Sequence, residues 1–300
     1  MSATSHDGPV LTQGDEIAAG RTVVRHIESG DLYATYLVWD DHRFSLGVAK
    51  VLRPERLHDE SAQRAFRREA EALTRLAHPV LVRSFDAVLE GAHPHLLLEH
   101  IEGATLRQVQ RQSGPLPLEQ VIPVALHIAS AVHYLSAEGM VHLDIKPANI
   151  VMGIPPRLID LSLVRSFAQA AEIADPLGTD AYMAPEQCEP RRLGPIGAPA
   201  DVWGLGATLY HVLSGSVPFP AFPDADREVL RERFPQLEPE PPLPLPASVP
   251  QDLRQIVDAM LRREAGTRPK ASEVALALEP LVASLPRKLV IGKRGLEPRG

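Results

Sequence analysis

The sequence predicts an α+β fold in two lobes, a small strand-rich lobe followed by a larger, mainly helical one. Three observations carry this. From Arg21 to Leu52 the chain is rich in β-branched and aromatic residues broken by turn formers. After Gly103 the character changes, and long apolar stretches of helical length take over. Strands cluster in the first third instead of alternating with helices, which argues for segregated α+β layers over repeated βα units.

In chain order, residues 1–13 are small and polar and are expected to be disordered. The stretches TVVRHI (22–27), LYATYLVW (32–39) and FSLGVAKVL (44–52) are separated by Glu-Ser-Gly-Asp and Asp-Asp-His-Arg turns, predicting a three-stranded antiparallel meander. A helix over 59–77, rich in Arg, Glu and Ala, stops at His78-Pro79. Two short strands, 82–89 and 95–100, turn at Gly91-Ala92-His93-Pro94, so the first lobe runs 14–101 and the second 102–285. In the second lobe, 118–138 reads as a long apolar helix closed by Gly139, and 140–163 as short loops and strand-like pieces. Further helices are predicted over 199–214, 251–261 and 271–283. The Pro-rich stretch 217–250 reads as extended loop packed on the helical lobe in preference to a polyproline ligand. Residues 286–300 read as a flexible basic tail.

Composition narrows the function classes. Apolar residues at 44 % and charged residues at 23 % are ordinary for a soluble globular chain. A net charge of −7 argues against nucleic acid as a partner. The single cysteine, Cys188, excludes an internal disulfide and fits a reducing compartment. The N-terminus has no basic start followed by an apolar core, so it does not read as a signal peptide. The longest apolar stretch, 121–135, is short of the roughly 20 residues of a membrane span and carries His127 and His133. The expectation is a cytoplasmic chain without a membrane segment. The twelve histidines are scattered and suggest no zinc site.

Chemistry concentrates in three places. The loop HLDIKPAN, His142 to Asn149, places Asp144, Lys146 and Asn149 within six residues. A carboxylate to accept a proton, an ammonium to offset phosphate charge and an amide oxygen for a metal suit phosphate chemistry. The alternative is a polar loop with incidental charges. Asp160 ends the apolar run Leu158-Ile159 and supplies a second oxygen ligand of the kind Mg²⁺ takes, or else simply forms a turn. Lys50 lies in an apolar strand, and only five lysines occur in the chain. It either snorkels from an edge or meets an anion. In the following helix Glu69 falls on the apolar stripe of Ala62, Phe66 and Leu73, whereas Glu71 falls off it, so Glu69 is the inward-facing candidate partner.

With these residues in place the chain resembles the protein kinase family over roughly 14–283. Lys50, Glu69, Asp144, Lys146, Asn149 and Asp160 match the family's motifs in order. So do Leu177-Gly178-Thr179, Ala184-Pro185-Glu186, the segment from Asp201 to Gly206, and Arg268, the arginine expected to pair with Glu186. The resemblance implies a two-lobed protein-kinase-like fold that uses ATP with Mg²⁺ or Mn²⁺. It assigns Asp144 as catalytic base, Lys146 to the γ-phosphoryl, Lys50 to the α/β-phosphates under the guidance of Glu69, and Asn149 and Asp160 to the metal. It places the nucleotide among Ile27, Gly30, Thr35, Val48, Leu98, Glu99, Ile101 and Val151, with hinge residues 99–101 meeting the adenine edge. Lys146-Pro147 and Thr179 resemble the serine/threonine class, implying a protein substrate with a Ser or Thr acceptor.

Three departures from the family pattern stand out. The glycine-rich loop, Ile27 to Tyr33, keeps only Gly30, with Glu28 and Tyr33 where glycines are usual. Asp160-Leu161-Ser162 replaces Asp-Phe-Gly, and Leu143 replaces the arginine beside the catalytic aspartate. That arginine normally meets an activation-segment phosphate, and 167–178 contains no Ser, Thr or Tyr. The expectation is therefore activity independent of phosphorylation there. The alternative is a pseudokinase that binds nucleotide or acts as a scaffold; a small-molecule phosphotransferase is a further rival, opposed by Lys146 and the Glu186–Arg268 match.

Overall fold

The strand-favouring first third folds into one antiparallel sheet in a computed structural model that describes residues 11–220 and 229–285. Its strands are β1 (Glu16–Ala18), β2 (Arg21–Ser29), β3 (Tyr33–Asp40), β4 (Ser45–Leu52), β5 (Ser84–Val88) and β6 (His95–Glu99), in spatial order β1-β2-β3-β4-β6-β5. The expected meander is β2-β3-β4. Its register sets Lys50 opposite Thr35 on one side and Leu96 on the other, in the middle of the sheet where an edge lysine's route to water is closed. The period-two pattern divides the side chains. Tyr33, Leu52, Leu96 and Leu98 join the main core, while Val23, Tyr36, Val38, Ala49, Val51 and Leu97 form a smaller cluster on the other face.

One helix, α1 (Glu60–Arg75), completes this lobe. Asp59 caps it, its carboxylate accepting from the amides of Ser61 at 2.8 Å and Ala62 at 3.3 Å. The buried stripe is Ala62, Phe66, Glu69, Ala70, Ala72 and Leu73, so a carboxylate sits where the three-and-four spacing placed it.

The second lobe is built on α2 (Leu106–Ser113) and α3 (Leu118–Ala137). Four short strands follow before α4, the first three being β7 (Met140–Val141), β8 (Ile150–Val151) and β9 (Arg157–Leu158). β10 (Arg165–Ser166) pairs back with β7, and β8 pairs with β9. The short helices α4 (Phe167–Ala171), α5 (Pro185–Cys188) and α6 (Pro190–Leu193) lead into α7 (Ala198–Ser214). The chain then runs through α8 (Leu230–Arg233) to α9 (Gln251–Met260) and α10 (Ala271–Ser284). Helix α3 is long and apolar enough to cross a membrane by length and composition. Its Val121, Ala125, Ile128, Ala129, Val132 and Leu135 are packed in the core, against α7 and α10.

The structure departs from expectation in places. Within the predicted disordered segment 1–13, Leu11 to Gln13 are placed: the Leu11 amide donates to the Tyr36 hydroxyl at 3.2 Å and the Thr12 amide to Asp15 at 2.6 Å. Residues 1–10 and the predicted tail 286–300 lie outside the described residues. Strand β1 and helix α2 carry too little periodic signal in three and eight residues to have been read from sequence. The Pro-rich stretch packs on the helical lobe through Phe234, Leu237, Leu245 and Val249, all buried, although 221–228 lie outside the description.

A buried ion pair ties the second lobe together. Arg268, following α9, meets Glu186 of α5 through two bonds, Nη1–Oε1 at 2.6 Å and Nη2–Oε2 at 2.8 Å. The remaining donors reach the carbonyls of Pro199, Arg262 and Arg263, and the guanidinium lies over the Trp203 ring at 4.9 Å. Every donor has a partner, so the desolvated charge is compensated. Glu186→Gln or Arg268→Met leaves one buried charge unpaired, and chemical denaturation should show a loss of about 3–5 kcal/mol; a loss below about 1 kcal/mol would mean that the pair contributes little.

Candidate active site

The loop HLDIKPAN is anchored from below. Asp201 on α7 is buried, and its carboxylate accepts from the amides of His142 at 2.6 Å and Leu143 at 2.7 Å. Burial pushes its pKa up, opposed by His142 and these two amides. Leu143 holds φ 68°, the left-handed region that branched side chains rarely enter, and its side chain is buried. The arginine position of the family pattern is thus occupied by an apolar residue facing the core. The Leu143 carbonyl accepts from Gln187 at 2.9 Å, and the same amide donates to Leu177 at 2.9 Å. One neutral side chain joins the HLDIKPAN loop to the segment that precedes Thr179.

Beyond that anchor the chemical groups converge. Asp144 receives Lys146 Nζ on Oδ2 at 2.8 Å and the Thr179 hydroxyl on Oδ1 at 2.7 Å. Lys146 also donates to the Thr179 oxygen at 2.7 Å, closing a triangle. Asn149, in the turn Pro147–Asn149, uses its Nδ2 on the Asp144 carbonyl at 2.9 Å and on Oδ2 at 3.1 Å. Fixing the amide nitrogen in this way leaves Oδ1 as the atom turned to other partners.

The second cluster joins the lobes. Lys50 Nζ lies 2.5 Å from Glu69 Oε1 and 2.9 Å from Asp160 Oδ1. Burial alone favours a neutral amine, but the two carboxylates outweigh it and hold Lys50 charged, above its usual pKa. Burial likewise opposes ionisation of Asp160, yet Lys50 and then the Ser162 side chain hold its carboxyl well below the usual range. Glu69, wholly buried, is pushed upward by that burial against the pull of Lys50. Asp160 adopts φ 67°, which turns its side chain toward Lys50, and Leu161 fills an apolar slot at 1 % exposure. The clusters are linked through β8 and β9, because the Ile159 amide donates to the Asn149 carbonyl at 2.8 Å. Asn149 and Asp160 are thus brought near one another by a backbone bond, and an amide oxygen and a carboxylate are the ligand types a hard cation takes.

The residues expected around a nucleotide divide. Val48 and Leu98 are cross-strand partners on β4 and β6, and Val151 on β8 comes from the opposite lobe. Gly103, with φ 141°, lies so close to Met152 that a Cβ would stand 2.6 Å from its carbonyl oxygen. The Glu99 carboxylate is occupied by the Arg83 amide at 2.9 Å and Arg157 at 3.3 Å, and the Ile101 amide has no hydrogen-bond partner among the described residues. The hinge thus offers backbone groups to a ligand. Ile27, Gly30 and Thr35, expected beside the nucleotide, lie on or between β2 and β3, with Thr35 opposite Lys50. Ile27 is exposed on β2, and Gly30 forms a tight turn whose amide is spent on the Tyr33 carbonyl at 2.9 Å. Arg53 donates to the Gly30 carbonyl at 3.3 Å, and Arg56 pairs with Asp31, drawing the tip back onto the segment after β4. Two contributors lacked a role in the sequence reading: Gln187, which gave no signal, and Tyr33, visible only as a missing glycine.

Comparison with known proteins accords with this geometry. A family model described as "Protein kinase domain" matches residues 21–277. Serine/threonine-protein kinase PkaA of Streptomyces coelicolor is 34 % identical over 237 residues, covering 76 % of this chain and 42 % of that protein. Serine/threonine-protein kinase PknB of Mycobacterium leprae is 34 % identical over 189 residues, 60 % of this chain and 30 % of the relative. Serine/threonine-protein kinase PknL of Mycobacterium tuberculosis is 36 % identical over 184 residues, 60 % of this chain and 45 % of the relative. The chain thus matches less than half the length of these relatives. The chain belongs to the protein kinase family.

Proposed function

We propose that this chain transfers the γ-phosphoryl group of ATP to a serine or threonine hydroxyl of a protein, without needing phosphate on its own activation segment. The observation that carries this reading is the Asp144–Lys146–Thr179 triangle, in which a carboxylate already holds an aliphatic hydroxyl and an ammonium at 2.7 and 2.8 Å. An acceptor hydroxyl bound at Asp144 would pass its proton to the carboxylate as its oxygen attacks the γ-phosphorus. The bond from that phosphorus to the β-phosphate bridging oxygen breaks, and ADP leaves with the electron pair. Lys146 offsets the charge on the transferring group. Lys50 orients the α- and β-phosphates, and Glu69 orients Lys50. A divalent ion, Mg²⁺ or Mn²⁺, would be held by Asn149 and Asp160, where it supplies neutralisation of phosphate charge.

Independence from segment phosphorylation is supported by what replaces the usual charges. Leu143 carries no guanidinium, 167–178 offers no hydroxyl, and Gln187 joins the two segments by neutral hydrogen bonds. The two flanking hydroxyls are already engaged: Ser166 caps α4, accepting from the Gln169 amide at 3.2 Å, and Thr179 binds Asp144. A pseudokinase is the second reading, favoured by the closed turn at Gly30, whose amide is unavailable to phosphate.

Transfer of labelled γ-phosphate to a generic protein substrate separates the readings. Asp144→Ala should lower transfer about a hundredfold or more while leaving ATP binding in place; wild-type protein that binds ATP without transfer is a pseudokinase. Mass spectrometry of active protein should find Ser162, Ser166 and Thr179 unmodified. Activity that appears only with phosphate on one of them would overturn the phosphate-free reading.

A further inference from the structure

Tyr33 opens β3 immediately after the Gly30 turn and sends its side chain inward. Its ring lies 4.5 Å below the Lys50 ammonium and 6.1 Å from the Phe66 ring of α1, tilted by 57°. It therefore touches both elements that carry the Lys50–Glu69 pair. The tyrosine is 7 % exposed, and its hydroxyl is buried without a hydrogen-bond partner. Glu69 Oε2 is also buried and unpartnered. The two groups act on one another: burial first, and then the nearby Glu69 carboxylate, push the phenol pKa up. The charged groups facing this point are Lys50 from β4, Glu69 and Arg68 from α1, and Asp160 after β9. A ring supplying its negative face to a desolvated ammonium stabilises the charged amine without competing for the carboxylates.

We propose that Tyr33 is a positioning residue for phosphoryl transfer: its ring, standing where the phosphate-covering loop meets β3, holds the Lys50 ammonium against Glu69 and seats α1 inward through Phe66. This rests on the kinase reading of the Lys50 site. It also accounts for a bulky aromatic at a loop position that glycine would otherwise suit. The loop gives up close backbone approach to phosphate, and the lysine that serves the phosphates gains a rigid support.

The test uses the full chain, with Mg-ATP dissociation constants from calorimetry and phosphoryl transfer measured in parallel. Tyr33→Phe keeps the ring and removes only an unpartnered hydroxyl, so affinity should stay within about twofold. Tyr33→Leu removes the aromatic face and should weaken Mg-ATP binding about tenfold. In a Glu69→Gln background the same Tyr33→Leu change should cost less than about twofold, because the pair it supports is already broken. Should Tyr33→Leu fail to fold, Tyr33→Met fills the space without an aromatic face and takes its place. Wild-type affinity in both of those variants, a Phe variant as impaired as Leu, or penalties that multiply in the Glu69→Gln background would each overturn the proposal. Wild-type protein that binds Mg-ATP without transferring phosphate overturns the transferase reading alone, and the affinities still decide the role of Tyr33. Absence of Mg-ATP binding by wild type overturns both.

Discussion

The organisation of the site depends on one buried ammonium. Lys50 stands in the middle of the sheet, and its charge is tolerated there because Glu69 from α1 and Asp160 from the other lobe both reach it. Taking an ammonium out of water costs several kcal/mol unless matched by well-placed anions. The sheet, the helix and the loop after β9 must therefore meet at this point for any of the three charges to be accommodated.

The second lobe solves a different problem, the fixing of a short loop that cannot fix itself. HLDIKPAN has little regular structure beyond the Pro147–Asn149 turn, and its shape comes from neighbours. Asp201 takes two of its amides, Gln187 takes the Leu143 carbonyl, and Asn149 bonds back onto Asp144. These bonds are buried, where an unmade partner is costly, so the loop has one low-energy arrangement. Leu143 in a left-handed conformation is the local strain that this arrangement carries. The Glu186–Arg268 pair holds α5 behind it, and α5 supplies Gln187. Rigidity thus passes from a buried ion pair to the Asp144 loop.

Much of this was legible in the sequence because the signals were local or strongly periodic. Glu69 could be separated from Glu71 by helical spacing alone, and α1, α3, α7, α9 and α10 agree with their predicted spans to within a few residues. Asp144, Lys146 and Asn149 are crowded into one eight-residue loop, so their grouping was visible as a local motif, whereas their union with Lys50, Asp160 and Thr179 needed the fold. What escaped had no periodic signal or depended on contacts distant in sequence. Helix α2 has eight residues, β1 has three, and Gln187 reaches carbonyls 44 and 10 positions away. Leu11 to Gln13 fell within the segment read as disordered, yet the Leu11 amide donating to the Tyr36 hydroxyl helps place them.

The glycine-poor loop marks the boundary between the two kinds of knowledge. From the sequence alone one could see that Lys50, Glu69, Asp144, Asn149 and Asp160 were present in order, that Leu143 stands beside Asp144 and that 167–178 carries no hydroxyl. Residue identity and spacing suffice for that. Only the tertiary structure decided what Tyr33 does, because the direction of its ring depends on the turn at Gly30, the register of β3 on β4 and the seat of α1. It likewise decided that Gln187 would join the Leu143 and Leu177 carbonyls. Both roles arise where segments far apart in the chain are pressed together, and no local pattern encodes the distance between them.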